Sequence, residues 1–236
     1  MISIPKSEQL KFGVLGAGVL GLLLRTILYS TGIDRRGLLI NGHWAEIGLW
    51  ILTAAVIGGV FYLRSWIPQP KKIRFAPSKL AAAGCLIAAV ALALNPRVGF
   101  SGFPLESTEP VLRYLAAAAL LGIGWCRFSG HRPNFLMHSI LCIYFAIRLI
   151  CCYRIWSVEP QLMHYFFQLG AHLAMTFVAY HFAAMDAKMG DYQKLWYWGL
   201  GGIFFCAVSI ADAPLLMIGM LCWLCTNLQS MGDANG

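Results

Sequence analysis

Charge is scarce in this chain: 12% of its 236 residues are Asp, Glu, Lys or Arg, and only 10 are acidic. Soluble domains carry roughly twice that share. With 59% hydrophobic residues and a mean hydropathy of +0.67, a water-soluble fold of this length could not hide its apolar surface, so the excess is expected to face lipid. Long polar stretches are missing too, which leaves no room for a separate soluble domain and makes 1–236 a single integral membrane domain by expectation. Catalytic signatures are equally absent. There is no H-E-x-x-H, no G-x-S-x-G and no Walker loop, and Ser139 and Ser209 have no base partner in view. An enzyme is therefore not the first expectation, and no metal site is expected.

The formal net charge is +8, from 18 Lys+Arg against 10 Asp+Glu. Most of the basic residues fall in short loops beside apolar runs, a pattern that membrane topology explains and nucleic-acid binding does not. The eight cysteines lie within or at the ends of hydrophobic runs and read as small apolar fillers rather than a disulfide framework. A short basic start precedes the first apolar segment, but Arg25 and Tyr29 follow it in place of a small-x-small cleavage site. The segment reads as a retained helix.

The apolar runs predict an all-α membrane protein, a polytopic bundle of about eight transmembrane helices. They run from Leu10 to Tyr29, Glu46 to Trp66, Leu80 to Pro96, Pro110 to Phe128, Phe135 to Tyr153, Gln161 to Met185, Leu195 to Ala211, and Ala213 to Met231. The last two meet at Asp212, Ala213 and Pro214 in a tight hairpin. With the amino terminus inside, lysines and arginines concentrate on one side, and the positive-inside rule places both termini in the cytoplasm of a plasma-membrane protein. Arg64, Lys71, Lys72, Arg74 and Lys79 dominate that bias and form a surface suited to anionic lipid headgroups.

A faint internal similarity suggests two parallel four-helix halves, 1–130 and 131–236. Glu46 and Gly48 match Gln168 and Gly170 in one alignment, and Arg25 has a counterpart in Arg148. Gly16, Gly18 and Gly21 spell G-x-G-x-x-G, yet no strand precedes them, so with Gly13 they read as a small-residue face for close helix packing. Gly199, Gly201 and Gly202 invite the same reading. Cys222 and Cys225 lack the second pair that a zinc site needs.

Charge inside a span is costly, so Arg25 and Arg148 are the informative residues. Each could snorkel to the headgroups. Alternatively, Glu46 could pair with Arg25 while Arg148 faces the neutral Gln168, leaving a positive charge to receive a carboxylate or phosphate. His164, Gln168, His172, Thr176 and Tyr180 recur every four residues and predict a polar stripe on the sixth span. That stripe is either interhelical hydrogen bonding or the wall of a cavity, with His172 able to carry a proton. Haem ligation by the span histidines is the weaker option. Arg25, Glu46, Arg148, Gln168 and His172 are thus the expected ligand-binding set for a small, anionic solute. The alternative is a non-transporting sensor, assembly or accessory protein that acts through its helix faces and basic loop.

Overall fold

A computed structural model describes residues 6–34, 39–40, 42–67, 77–96, 104–157 and 165–229. Among them the regular structure is helical, apart from an isolated bridge between Ile33 and Leu39. The helices are α1 (Lys6–Thr31), α2 (Trp44–Tyr62), α3 (Lys79–Leu94), α4 (Glu109–Ser129), α5 (Phe135–Trp156), α6 (Phe166–Asp186), α7 (Tyr192–Val208) and α8 (Pro214–Gln229). Five segments are long and apolar enough to cross a membrane: α1, α2, α4, α5 and α7 with the turn that follows it. The other apolar helices, α3 and α8, have 16 residues each. With 21 residues α6 has the length, but Gln168, His172 and His181 dilute its apolar content.

Local chemistry sets the helix ends. Side-chain oxygens of Ser78, Asn134 and Asp191 accept from backbone N–H groups in the first turns of α3, α5 and α7, which satisfies donors that a helix start leaves open. Pro110 occupies the first turn of α4, and Gly130 closes that helix at φ 71°, a left-handed conformation that costs glycine little. Between α7 and α8 the hairpin is as tight as the sequence implies. Asp212 and Ala213 both donate their backbone N–H to the Ser209 carbonyl, at 3.0 and 3.1 Å.

Six helices form a closed ring in the order α7, α6, α5, α4, α3, α8, each packed on the next, while α1 and α2 lie against α7 from outside. Trp196, Trp223, Tyr144, Phe145, Phe182 and Phe204 fill the centre. Large apolar side chains also face outward, including Ile51, Phe61 and Trp125, which are 65%, 66% and 71% exposed. The halves 1–130 and 131–236 hold four helices each but pack differently. Helix α6 rests along α7, whereas α2, its counterpart, makes no comparable contact with α3.

The glycine faces are narrower than expected. A Cβ on Gly18 would stand 2.7 Å from Ala207 Cβ, and one on Gly21 would stand 2.6 Å from Val208 Cγ2, so these two let α1 approach α7. Gly13 and Gly16 have nothing within 4 Å of that position. On α7, Gly199 and Gly202 accommodate Leu228 and Leu224, while Gly201 faces open space. All eight cysteines are free thiols.

Candidate functional site

One end of the bundle gathers the carboxy-terminal ends of α1, α3 and α5, the starts of α2, α4 and α6, and the α7–α8 turn. Buried polar groups concentrate just inside it. Arg148 on α5 is 5% exposed. Its Nη1 donates to Glu109 Oε1 at 2.9 Å and to Tyr144 Oη at 3.2 Å, and its Nε donates to His172 Nε2 at 3.1 Å. With the Asn95 amide oxygen turned toward the guanidinium, Asn95 accepts from Nη2 at 2.7 Å.

Each contact has a local cause. Tyr144 stands one turn before Arg148 on α5, on the same face. Glu109 is the first residue of α4, where the helix dipole and open N–H groups favour a carboxylate. His172 donates Nδ1–H to the Gln168 carbonyl at 2.7 Å, the group one turn back on α6, and so presents Nε2 as an acceptor. That pattern requires the neutral imidazole, and both ring nitrogens are engaged. Of the five N–H groups of Arg148, the second on Nη2 is the one with no partner among the described residues.

Asn95, just past the end of α3, serves a second arginine: its backbone carbonyl accepts from Arg113 Nη1. Arg113, within the apolar run of α4, thus meets the carbonyl end of a neighbouring helix, where positive charge is favoured.

Arg25 forms the second ion pair. Its Nε and Nη2 grip both carboxylate oxygens of Asp212, with contacts from 3.0 to 3.4 Å, in a bidentate fork. Tyr29 donates to the same carboxylate. The guanidinium lies over the rings of Tyr29 and Phe167, 5.1 Å from each centroid.

A 400 Å³ cavity separates the two ion pairs. Arg148, Asn95, Cys152, Trp156 and Gln168 line it together with Asp212, Ala213, Pro214 and Leu215 of the α7–α8 turn. The Gln168 amide forms no hydrogen bond among the described residues. The cavity is therefore lined both by donor-bearing Arg148 and Gln168 and by the Asp212 carboxylate, a combination suited to a small solute with an anionic or acceptor group and a donor.

Several expectations need correction. Arg25 pairs with Asp212, whereas Glu46 sits half-buried at the start of α2, because α1 leans on α7 and brings its last turns to the α7–α8 hairpin. Arg148 does not face Gln168 as its sole polar neighbour; Glu109 neutralises it, because α4 packs along α5. The four-residue stripe does not stay on one face. A step of four residues overshoots a turn by about 40°, so Gln168 and His172 are buried, Thr176 is half-buried and bonds its own helix at the His172 carbonyl, and Tyr180 is 55% exposed. His164, Lys71, Lys72 and Arg74 lie outside the described residues, as does the side chain of Arg64; Lys79 opens α3. Glu109, Asn95 and Tyr144 complete the cluster without having been singled out from sequence.

A smaller polar cluster occupies the opposite end. His138 Nδ1 lies 2.6 Å from Asp186 Oδ2, both side chains are buried, and the imidazole stacks on Phe182. Among the described residues no three or more His, Cys, Asp or Glu side chains converge to hold a metal ion. No family model, curated protein or solved structure matches the chain.

Proposed function

We propose that the protein is a multi-pass membrane protein, all eight helices lying in the bilayer, which binds a small anionic or zwitterionic solute in the cavity between Arg148 and Asp212. The carrying observation is the set of unspent hydrogen-bonding groups at that cavity: one Nη2 N–H of Arg148 and the Gln168 amide, on two residues that both line it. A solute carboxylate or phosphate would supply the acceptor that these donors lack within the protein. Asp212, which also lines the cavity, suits a solute amine or hydroxyl.

The membrane reading draws support from the outward apolar side chains and the five long apolar helices. The 16-residue α3 and α8 fall slightly short of the ~20 residues for a full crossing, and both lie within the ring, where tilt and local thinning accommodate a short helix. The lysine and arginine bias assigns the cavity to the outer face of the plasma membrane, with both termini and the basic segment around Lys71 and Lys72 inside, facing anionic headgroups. The cavity's position favours solute capture from outside, as the first step of uptake.

A panel of small carboxylates, phosphates and amino acids, read by thermal shift on detergent-purified protein, tests the proposal. A stabilising ligand is expected whose effect disappears in Gln168→Leu, a change that leaves both ion pairs in place. A panel without any stabilising anion or zwitterion, or a shift undiminished in Gln168→Leu, would refute it.

A further inference from the structure

We infer that the protein also holds one anionic lipid, with its acyl chain in an apolar groove between α2, α5, α6 and α7 and its headgroup at Lys194. The groove has a volume of 690 Å³, and no charged residue lines it. It exists because α2 packs on α1 and α7 but makes no comparable contact with α5 or α6. Leu149, Leu169, Leu173 and Phe205 form its walls. Gly201 helps to keep its floor open: a Cβ there would meet nothing within 4 Å, whereas Gly199 and Gly202 on the same helix are packed against α8.

Length and charge identify the occupant. Along α7 the groove runs from Tyr197 to Phe205, roughly 12 Å at about 1.5 Å per residue, and it reaches Phe166 at the start of α6. At the Tyr197 end it meets a second cavity of 310 Å³, lined by Phe61, Ile67, Gln193, Lys194 and Tyr197. A long hydrocarbon slot thus ends at an ammonium and an amide, the profile of an acyl chain followed by a phosphate. The Lys194 side chain is 64% exposed and its pairing with Asp191 is loose, at 3.6 Å. Surface pairs of this kind contribute little, so a phosphate can take the lysine over.

The inference rests on the membrane-spanning reading and is separate from the solute cavity, which opens on the other side of the α5–α6 pair. Native mass spectrometry of delipidated protein, titrated with phosphatidylglycerol or phosphatidylcholine of the same acyl chains, provides the test. One phosphatidylglycerol should bind about fivefold more tightly than phosphatidylcholine, the factor for one lysine near an anionic headgroup. Lys194→Gln should make the two lipids equal. Gly201→Trp and Leu173→Trp, which fill the groove, should remove both, while Gly201→Ala retains them; cooperative thermal unfolding verifies that each variant folds. Equal binding of the two lipids by the wild type, undiminished binding in a folded groove variant, or a second copy of the chain in place of lipid would each overturn the inference. A chain that stays dispersed in buffer without detergent would instead sink the membrane reading itself.

Discussion

Arg148 and Glu109 meet across 2.9 Å between α5 and α4, and both side chains are almost entirely withdrawn from solvent. Two opposite charges in that setting attract strongly, yet each has given up its hydration, and the pair is worth keeping only while both members remain. The neighbouring donors and acceptors of Tyr144, His172 and Asn95 distribute the arginine's charge and fix the plane of its fork.

Removing one member should therefore cost more than removing both. Glu109→Gln is expected to lower stability by about 3 to 5 kcal/mol, whereas Glu109→Gln combined with Arg148→Met should recover most of that loss. Reversible unfolding in mixed detergent micelles measures both, and a double variant no more stable than the single one would contradict the pairing.

The ion pair at Asp212 does a different job: it ties the last turns of α1 to the α7–α8 hairpin. Asp212→Asn should loosen that turn without dissolving the ring. Hydrogen exchange at the backbone amides of Asp212 and Ala213 is expected to accelerate, with α3 and α4 unchanged. Uniform acceleration through every helix would argue that the pair holds the whole bundle rather than one joint.

Close packing makes a sharp contrast between two glycines of α1. Gly18→Leu drives a side chain into Ala207, while Gly16→Leu adds one where nothing stands within 4 Å. The first should destabilise by roughly 1 to 3 kcal/mol, the usual cost of overpacking, and the second should stay within about 0.5 kcal/mol. Similar effects from both would mean that α1 does not rest on α7 through Gly18.

Much of this architecture was legible in the apolar runs. The run predicted to begin at Phe135 does begin there as α5 (Phe135–Trp156), because Asn134 caps it and the hydrophobic content is unmistakable. That Arg25 and Arg148 would matter was legible too, since charge within an apolar run demands an explanation. Their partners were not. Glu109 lies 39 positions from Arg148 and Asp212 lies 187 from Arg25. Which carboxylate reaches which arginine depends on α4 lying along α5 and α1 along α7, and local periodicity carries no trace of those neighbours. Asp212 read as a turn residue, which it is, and its second role follows only from the helix beside it. The stripe on α6 failed for a geometric reason: spacing of four drifts around a helix of 3.6 residues per turn, so Tyr180 leaves the face that Gln168 shares with His172.

The solute cavity carries the functional weight of the account, and equilibrium binding tests it most directly. For the stabilising solute identified in the panel, titration calorimetry should give one site per chain. Leu215→Trp, which adds bulk at the cavity lining and leaves the four ion-pair residues unchanged, should abolish the heat signal, and Gln168→Leu should weaken binding by about 10- to 100-fold, the loss of one charge-assisted contact. An unchanged dissociation constant in folded Leu215→Trp protein would contradict the claim that the solute sits between Arg148 and Asp212.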